Sequence, residues 1–242
     1  MAEMGLGYGS EYQLLRYLGH HRIELNKIIK ASTRLCGEIY WLDFPKDKKT
    51  DETKISLSLD GEHKGVDFLH DKISKEEFET LQSNWKKYWS SGGNLPNWDG
   101  VILHKHNNKE EWIIVEAKAH LGEIESKTDS SANQNIQNAF KETQKRFEIS
   151  NNNWFGKHYQ LANRLAFINF LLANKINASL LYIYFINGYE KRQLKNRKKI
   201  LVGSISVNKQ IDWEKAIKQE YIDLGINNKA KAYISNIFID CK

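Results

Sequence analysis

Two short stretches combine acids and a lysine in surroundings that are otherwise apolar. One is Pro96-Asn97-Trp98-Asp99-Gly100-Val101, the other Ile113-Ile114-Val115-Glu116-Ala117-Lys118-Ala119. An acid-x-Lys tripeptide by itself carries little information in this chain. It also occurs at 47–49, 52–54, 62–64, 125–127 and 240–242, each time among polar residues, where it is expected to be solvated. Only Glu116-Ala117-Lys118 terminates a continuous apolar run, Trp112 to Val115. A carboxylate and an ammonium at the end of a buried strand lose hydration and need partners.

Register arithmetic supplies one. Residues 98–106 and 110–119 read as two strands, and Asn107-Asn108 between them is a tight-turn signal. A two-residue turn there pairs residues whose numbers sum to 215, so Asp99 falls opposite Glu116. Opposite residues share a sheet face, and Lys118, two positions on, shares it too. A one-residue slip would send one acid to the other face. Two adjoining carboxylates repel unless a proton or cation lies between them. Hard oxygen donors with room for water suit Mg²⁺ or Mn²⁺. The metal-free alternative is a charged hairpin end with one ion pair from Lys118 to Asp99 or Glu116.

The elements that must position this hairpin can be read around it. Residues 11–30 form a helical pattern through Leu14, Leu15, Leu18, Leu25, Ile28 and Ile29, with Ser10 and Gln13 as a capping box. Strands are expected at 38–44 and 55–59 around the charged loop Lys46 to Lys54, and a helix at 74–90 capped by Ser74 and Glu77. Helices at 130–149 and 157–174, strands at 180–186 and 200–207, a helix at 212–223 and a strand at 233–239 complete the chain. That order predicts an α/β domain, a central mixed sheet flanked by helices. The 242 residues are read as one domain, with a core at about 9–207 and a C-terminal helix and strand in 208–242.

At this point the sequence resembles the PD-(D/E)xK, or restriction-endonuclease-like, nuclease superfamily. Asp99 matches the first acid, with Asn97-Trp98 before it in place of an adjacent proline; Glu116 and Lys118 match the second half-motif. Gly9-Ser10-Glu11, Trp98-Asp99, Val115 to Ala119 and Tyr159-Gln160-x-Ala162-Asn163-Arg164-Leu165-Ala166 are similar to landmarks of a widespread, largely uncharacterised bacterial branch. The resemblance implies a restriction-endonuclease-like sheet and a metal-dependent phosphodiesterase acting on nucleic acid, DNA foremost. The metal, Mg²⁺ or Mn²⁺, would be held by Asp99, Glu116 and the backbone carbonyl of Ala117. Lys118 would orient or activate the attacking water. Glu11 matches the helix glutamate that completes the metal shell in several branches. Its other reading is a first-turn acid that stabilises the helix dipole. The same fold also serves as a catalytically inactive nucleic-acid-binding or protein-interaction module, and it leaves room for a homodimer.

Substrate contacts are sought among Gln160, Asn163 and Arg164, which share a helix face and suit a phosphate or base edge. They equally suit hydrogen bonding to the sheet. Lys191 to Lys199 carries six basic residues in nine, Lys195 and Arg197 among them. It reads either as a solvated loop tip or as a segment that meets a nucleic-acid backbone. Glu125 is read as a metal-directed or a solvated loop acid. His104 and His106 fall on the face opposite Asp99 and are expected at the surface. Thirty-six Lys and Arg against thirty Asp and Glu give a net charge of +6, a weak sign of a polyanionic partner. Two cysteines, Cys36 and Cys241, exclude a disulfide framework and a multi-cysteine zinc module. Gly5-Leu6-Gly7-Tyr8-Gly9 lacks the Lys-Ser/Thr of a phosphate loop. Without a signal-like start or an uninterrupted apolar span, a cytoplasmic protein with no membrane partner is expected.

Overall fold

The structure is a computed structural model that describes residues 9–33, 35–45, 62–89, 96–125, 133–150, 153–188 and 207–241. The strands expected at 55–59 and 200–207, the loop Lys46 to Lys54 and the basic run Lys191 to Lys199 lie outside the described residues, apart from Val207.

The first helical pattern forms two helices instead of one, α1 (Gly9–His20) and α2 (Arg22–Thr33). The Ser10–Gln13 capping box does not form. Ser10 lies inside α1, and its hydroxyl donates to Glu123 Oε1 at 2.8 Å. The interruption follows from Arg22, whose Nε donates to the Leu18 carbonyl at 3.0 Å. In an unbroken helix that carbonyl is the partner of the Arg22 amide, so side chain and backbone compete for it.

Strand β1 (Glu38–Trp41) is followed by β2 (His63–Lys64) and then by helix α3 (Lys75–Tyr88). Ser74 caps α3 and Glu77 reaches back to it, the reciprocal box that the sequence predicts. Strand β3 (Asn97–Trp98) pairs with β2. The hairpin follows as β4 (Gly100–His106) and β5 (Lys109–Lys118). Then come α4 (Gln134–Phe147), α5 (Tyr159–Ala173), β6 (Ala178–Ile186), α6 (Gln210–Leu224), the short α7 (Asn228–Lys231) and β7 (Ile234–Asp240).

Five strands make one mixed sheet in the order β1-β4-β5-β6-β7. The β1–β4 and β4–β5 pairs are antiparallel, and β5–β6 and β6–β7 are parallel. The C-terminal strand is thus hydrogen-bonded into the same sheet as the hairpin. Helices cover both faces. Leu14, Tyr17, Leu25 and Ile29 of α1 and α2 pack with Ile102, Ile113, Val115 and Ile183 on one face. On the other, Val101, Trp112, Ile114 and Leu180 pack with α3, α4, α5 and α6 through Trp85, Phe140, Phe167 and Trp213. Helix α5 is buried without interruption from Leu161 to Leu171. A helix buried on all sides belongs at the centre of a layered core, and this explains the most hydrophobic stretch of the sequence without a bilayer. Among the described residues no helix is long and apolar enough to cross a membrane.

Candidate active site

The hairpin turn sets the register. Asn107 and Asn108 both have positive φ, 49° and 59°, the pair of left-handed residues a type I′ turn requires. Pairing runs from His106↔Lys109 to Gly100↔Val115, each sum being 215. Glu116 and Lys118 therefore lie on the face that carries Val101, Trp112 and Ile114, whereas Asp99, expected opposite Glu116, lies one residue beyond the last pair of the ladder.

Asp99 sits where the chain changes partners. Trp98, before it, pairs with His63 of β2, while Gly100, after it, pairs with Val115 of β5. The ladder to β5 ends there, and the Asp99 side chain takes over: its Oδ2 accepts the Ala117 amide at 2.7 Å. The Trp112 amide donates to Asn177, on the β6 side. Backbone groups of alternate residues point to alternate neighbours, so the Ala117 carbonyl lies on the Asp99 side together with its amide. Gly100 packs closely, and a Cβ there would come within 3.1 Å of the Trp41 ring, which would have to shift by a few tenths of an ångström.

Glu116 is 3% exposed and fully engaged. Its Oε1 accepts Lys118 Nζ at 2.6 Å and Gln160 Nε2 at 2.9 Å. Its Oε2 accepts Arg164 Nε at 2.9 Å and Nη2 at 2.8 Å. Arg164 Nη1 donates to Asn163 Oδ1 at 2.9 Å, and the guanidinium lies 4.9 Å from the centre of the Trp98 ring. The polar face of α5 is thus turned to the sheet, as one of the two readings of that face expects. Lys195 and Arg197 lie outside the described residues.

The charges oppose burial and one another. Burial, and then the neighbouring Glu116, push the Asp99 carboxyl well above its ordinary range. Burial works against the charge of Glu116 too, but Arg164 and Lys118 outweigh it and hold Glu116 below the usual carboxylate range. Lys118 is likewise disfavoured by burial, yet Glu116 and Asp99 raise its pKa above the ordinary value. Fully ionised, the quartet Asp99, Glu116, Lys118 and Arg164 is electrically neutral.

Glu11 stands at the edge of this group. It is half-buried, and its pKa is raised by burial and then by Glu62 and Glu123. Glu123 closes the turn after β5, its Oε2 accepting the amides of Ala119 at 2.5 Å and His120 at 3.2 Å. Glu125 pairs with Lys157 at 2.8 Å at the surface, in line with a solvated loop acid. His104 corrects its expectation: it is on the opposite face, as the register requires, but it is buried, with Nε2 2.6 Å from the Cys36 carbonyl. The Cys36 carbonyl, just before β1, and the Glu111 carboxylate, 3.5 Å from Nδ1, flank the ring that the hairpin alone would leave open.

Two further acids join the region without a mark in the sequence pattern of the hairpin. Glu62 accepts from Asn97 Nδ2 at 2.7 Å and acts on both Asp99 and Glu11. No local pattern announces it, because β2 is only two residues long. Glu220 is buried on α6, and its pKa is pushed up to about 8 by burial, against the attraction of Lys118 and with the repulsion of Glu116. A signal for it existed: Trp213, Ile217, Glu220 and Leu224 form one helical stripe, and a carboxylate in an apolar stripe is out of place. His158 lies between Glu220, 3.7 Å from Nδ1, and Asp223, 3.0 Å from Nε2.

Among the described residues no group of three His, Cys, Asp or Glu is arranged to hold a metal ion. Compared with family models, curated proteins and solved structures, the chain has no match.

Proposed function

We propose that the chain is a metal-dependent phosphodiesterase of the restriction-endonuclease-like class, acting on nucleic acid, DNA foremost. The observation that carries this reading is the convergence of Asp99, Glu116 and Lys118 at the end of a buried hairpin, with the Ala117 amide bound to Asp99.

The donor set fits a hard divalent cation on one condition. Asp99 and the Ala117 carbonyl offer oxygen on the same side. Asp99 is a carboxyl whose negative charge is only partly compensated: Lys118 and the Ala117 amide favour it, but burial and Glu116 outweigh them. Glu116, however, already receives four N–H donors, and a carboxylate has about four lone-pair positions. It can join as a ligand only if Lys118 or Gln160 leaves Oε1. Mg²⁺ or Mn²⁺ held by Asp99, Glu116 and the Ala117 carbonyl would supply phosphate polarisation and a more acidic water. The protein's own share is then defined. Arg164 keeps Glu116 ionised and fixed. Lys118, once off Oε1, places an ammonium beside the attacking water and offsets the negative charge that grows on the phosphate. The Ala117 amide holds Asp99 in one orientation.

The saturated Glu116 favours a second reading, a non-catalytic nucleic-acid-binding or interaction module on the same fold. Calorimetry separates the two. Titration with Mn²⁺ should give one site in the wild type, abolished in Asp99→Asn and weakened at least tenfold in Glu116→Gln. No site in the wild type would support the second reading.

A further inference from the structure

We infer that Arg164 and Trp98 form a side-chain bracket that positions the two half-motifs against each other, and that Arg164 acts as a positioning residue through this bracket. The hairpin alone leaves a gap in the site. Asp99 lies beyond the last ladder pair, Gly100↔Val115, and its backbone is committed to neither β4 nor β3. Gly100 anchors it on one side through the ladder, and on the other its place depends on what holds Trp98.

Trp98 is fully buried and held on several sides. Its backbone pairs with β2, its indole Nε1 donates to the Gly65 carbonyl at 2.8 Å, and its ring stacks on Phe167 of α5 at 4.3 Å. Arg164 comes from the same helix, one turn earlier than Phe167. Its guanidinium lies over the Trp98 ring, and two of its nitrogens close on one oxygen of Glu116. One guanidinium thus lies over the ring of the residue next to the first acid and bonds the second acid with two of its nitrogens. Lysine cannot reproduce this geometry, because its single ammonium has no rigid fork that fixes two bonds to one carboxylate oxygen while it lies over the ring. The third nitrogen, held by Asn163, fixes the plane of the guanidinium in turn.

The bracket makes a prediction at an atom that Arg164 does not touch. The Ala117 amide is bound by Asp99, on the β4 side of β5, whereas Arg164 reaches Glu116 from α5. If the bracket holds Asp99 in place, loosening Arg164 must loosen that amide. The inference concerns the site that we propose to be catalytic, but its test needs neither metal nor substrate.

The experiment is amide hydrogen exchange at Ala117, with Ile113 on the same strand as internal reference, in the full chain. Arg164→Lys keeps the positive charge and removes the planar fork. It should speed Ala117 exchange at least tenfold relative to Ile113. Trp98→Leu should do the same, Trp98→Phe should restore most of the protection, and the double variant Trp98→Leu/Arg164→Lys should be no worse than either single change. An unchanged Ala117-to-Ile113 ratio in Arg164→Lys, or fully multiplicative effects in the double variant, would overturn the bracket. Should Trp98→Leu fail to fold, Arg164→Lys alone decides by the same ratio. A positive result beside a wild type that binds no Mn²⁺ would leave the bracket standing and remove the metal-dependent reading. The reverse pattern would do the opposite.

Discussion

At the scale of single residues, the site is a balance of buried charges in which the partners are not equivalent. Glu116 accepts two hydrogen bonds from Arg164 and one from Lys118. Breaking a buried pair from one side leaves an uncompensated charge and costs about 3–5 kcal/mol. Arg164→Met should therefore lower unfolding free energy by roughly that amount. Lys118→Met should cost clearly less, because the guanidinium still compensates Glu116. Denaturant unfolding of the two variants checks this order, and a larger decrease for Lys118→Met would mean that the ammonium is the structural partner. The same asymmetry suits the chemistry proposed for Lys118, the group that is cheaper to displace from Glu116 and hence free to meet a water or phosphate.

At the scale of elements, α6 brings a buried carboxyl to the rear of the site, with a measurable consequence for stability. Glu220 has an ordinary value of 4.5 and is raised in the fold to about 8. Between those values the unfolded chain has released the proton and the folded chain retains it, so this group makes stability fall as pH rises through the window and level off above it. The slope it contributes is at most about 1.4 kcal/mol per pH unit. Glu220→Gln, a mimic of the protonated form, should match the wild type near the low end of the window and exceed it in stability at the high end. Thermal unfolding across that range checks the sign, and parallel curves for the two proteins would contradict it.

The hairpin shows why some elements could be read from the sequence and others could not. Its register needed only the Asn107-Asn108 turn, a local signal. The Ser74–Glu77 box was likewise local, and α3 starts where it predicts. The break at Arg22 was not legible, because a side chain takes a carbonyl inside a continuous apolar pattern. The partners of Glu116 were present in the sequence as the polar face of α5. Which way that face turned depended on α5 being buried on all sides, a tertiary fact. Glu62 reaches the site through a two-residue bridge to β3, a pairing that no periodicity announces.

At the scale of the whole molecule, the net charge of +6 does not single out a binding face, since the densest basic run, Lys191 to Lys199, lies outside the described residues. If that run meets a duplex backbone, replacing Lys195 and Arg197 together by alanine should reduce the slope of log affinity against log salt by about 0.9 for each phosphate no longer neutralised. Fluorescence anisotropy with a labelled duplex over a salt series measures it. An unchanged slope would assign the run to solvent and leave nucleic-acid binding to the surface near the hairpin.

The central claim, that Asp99, Glu116 and Lys118 form a phosphodiesterase centre, is tested most directly by cleavage. Supercoiled plasmid and a labelled single strand would be incubated with Mg²⁺ or Mn²⁺ and with wild type, Lys118→Ala or Asp99→Ala. The account predicts metal-dependent cleavage by the wild type and a decrease of at least about a hundredfold in each variant, with both variants folded. Equal cleavage by all three proteins, or none by the wild type with either metal, would contradict it.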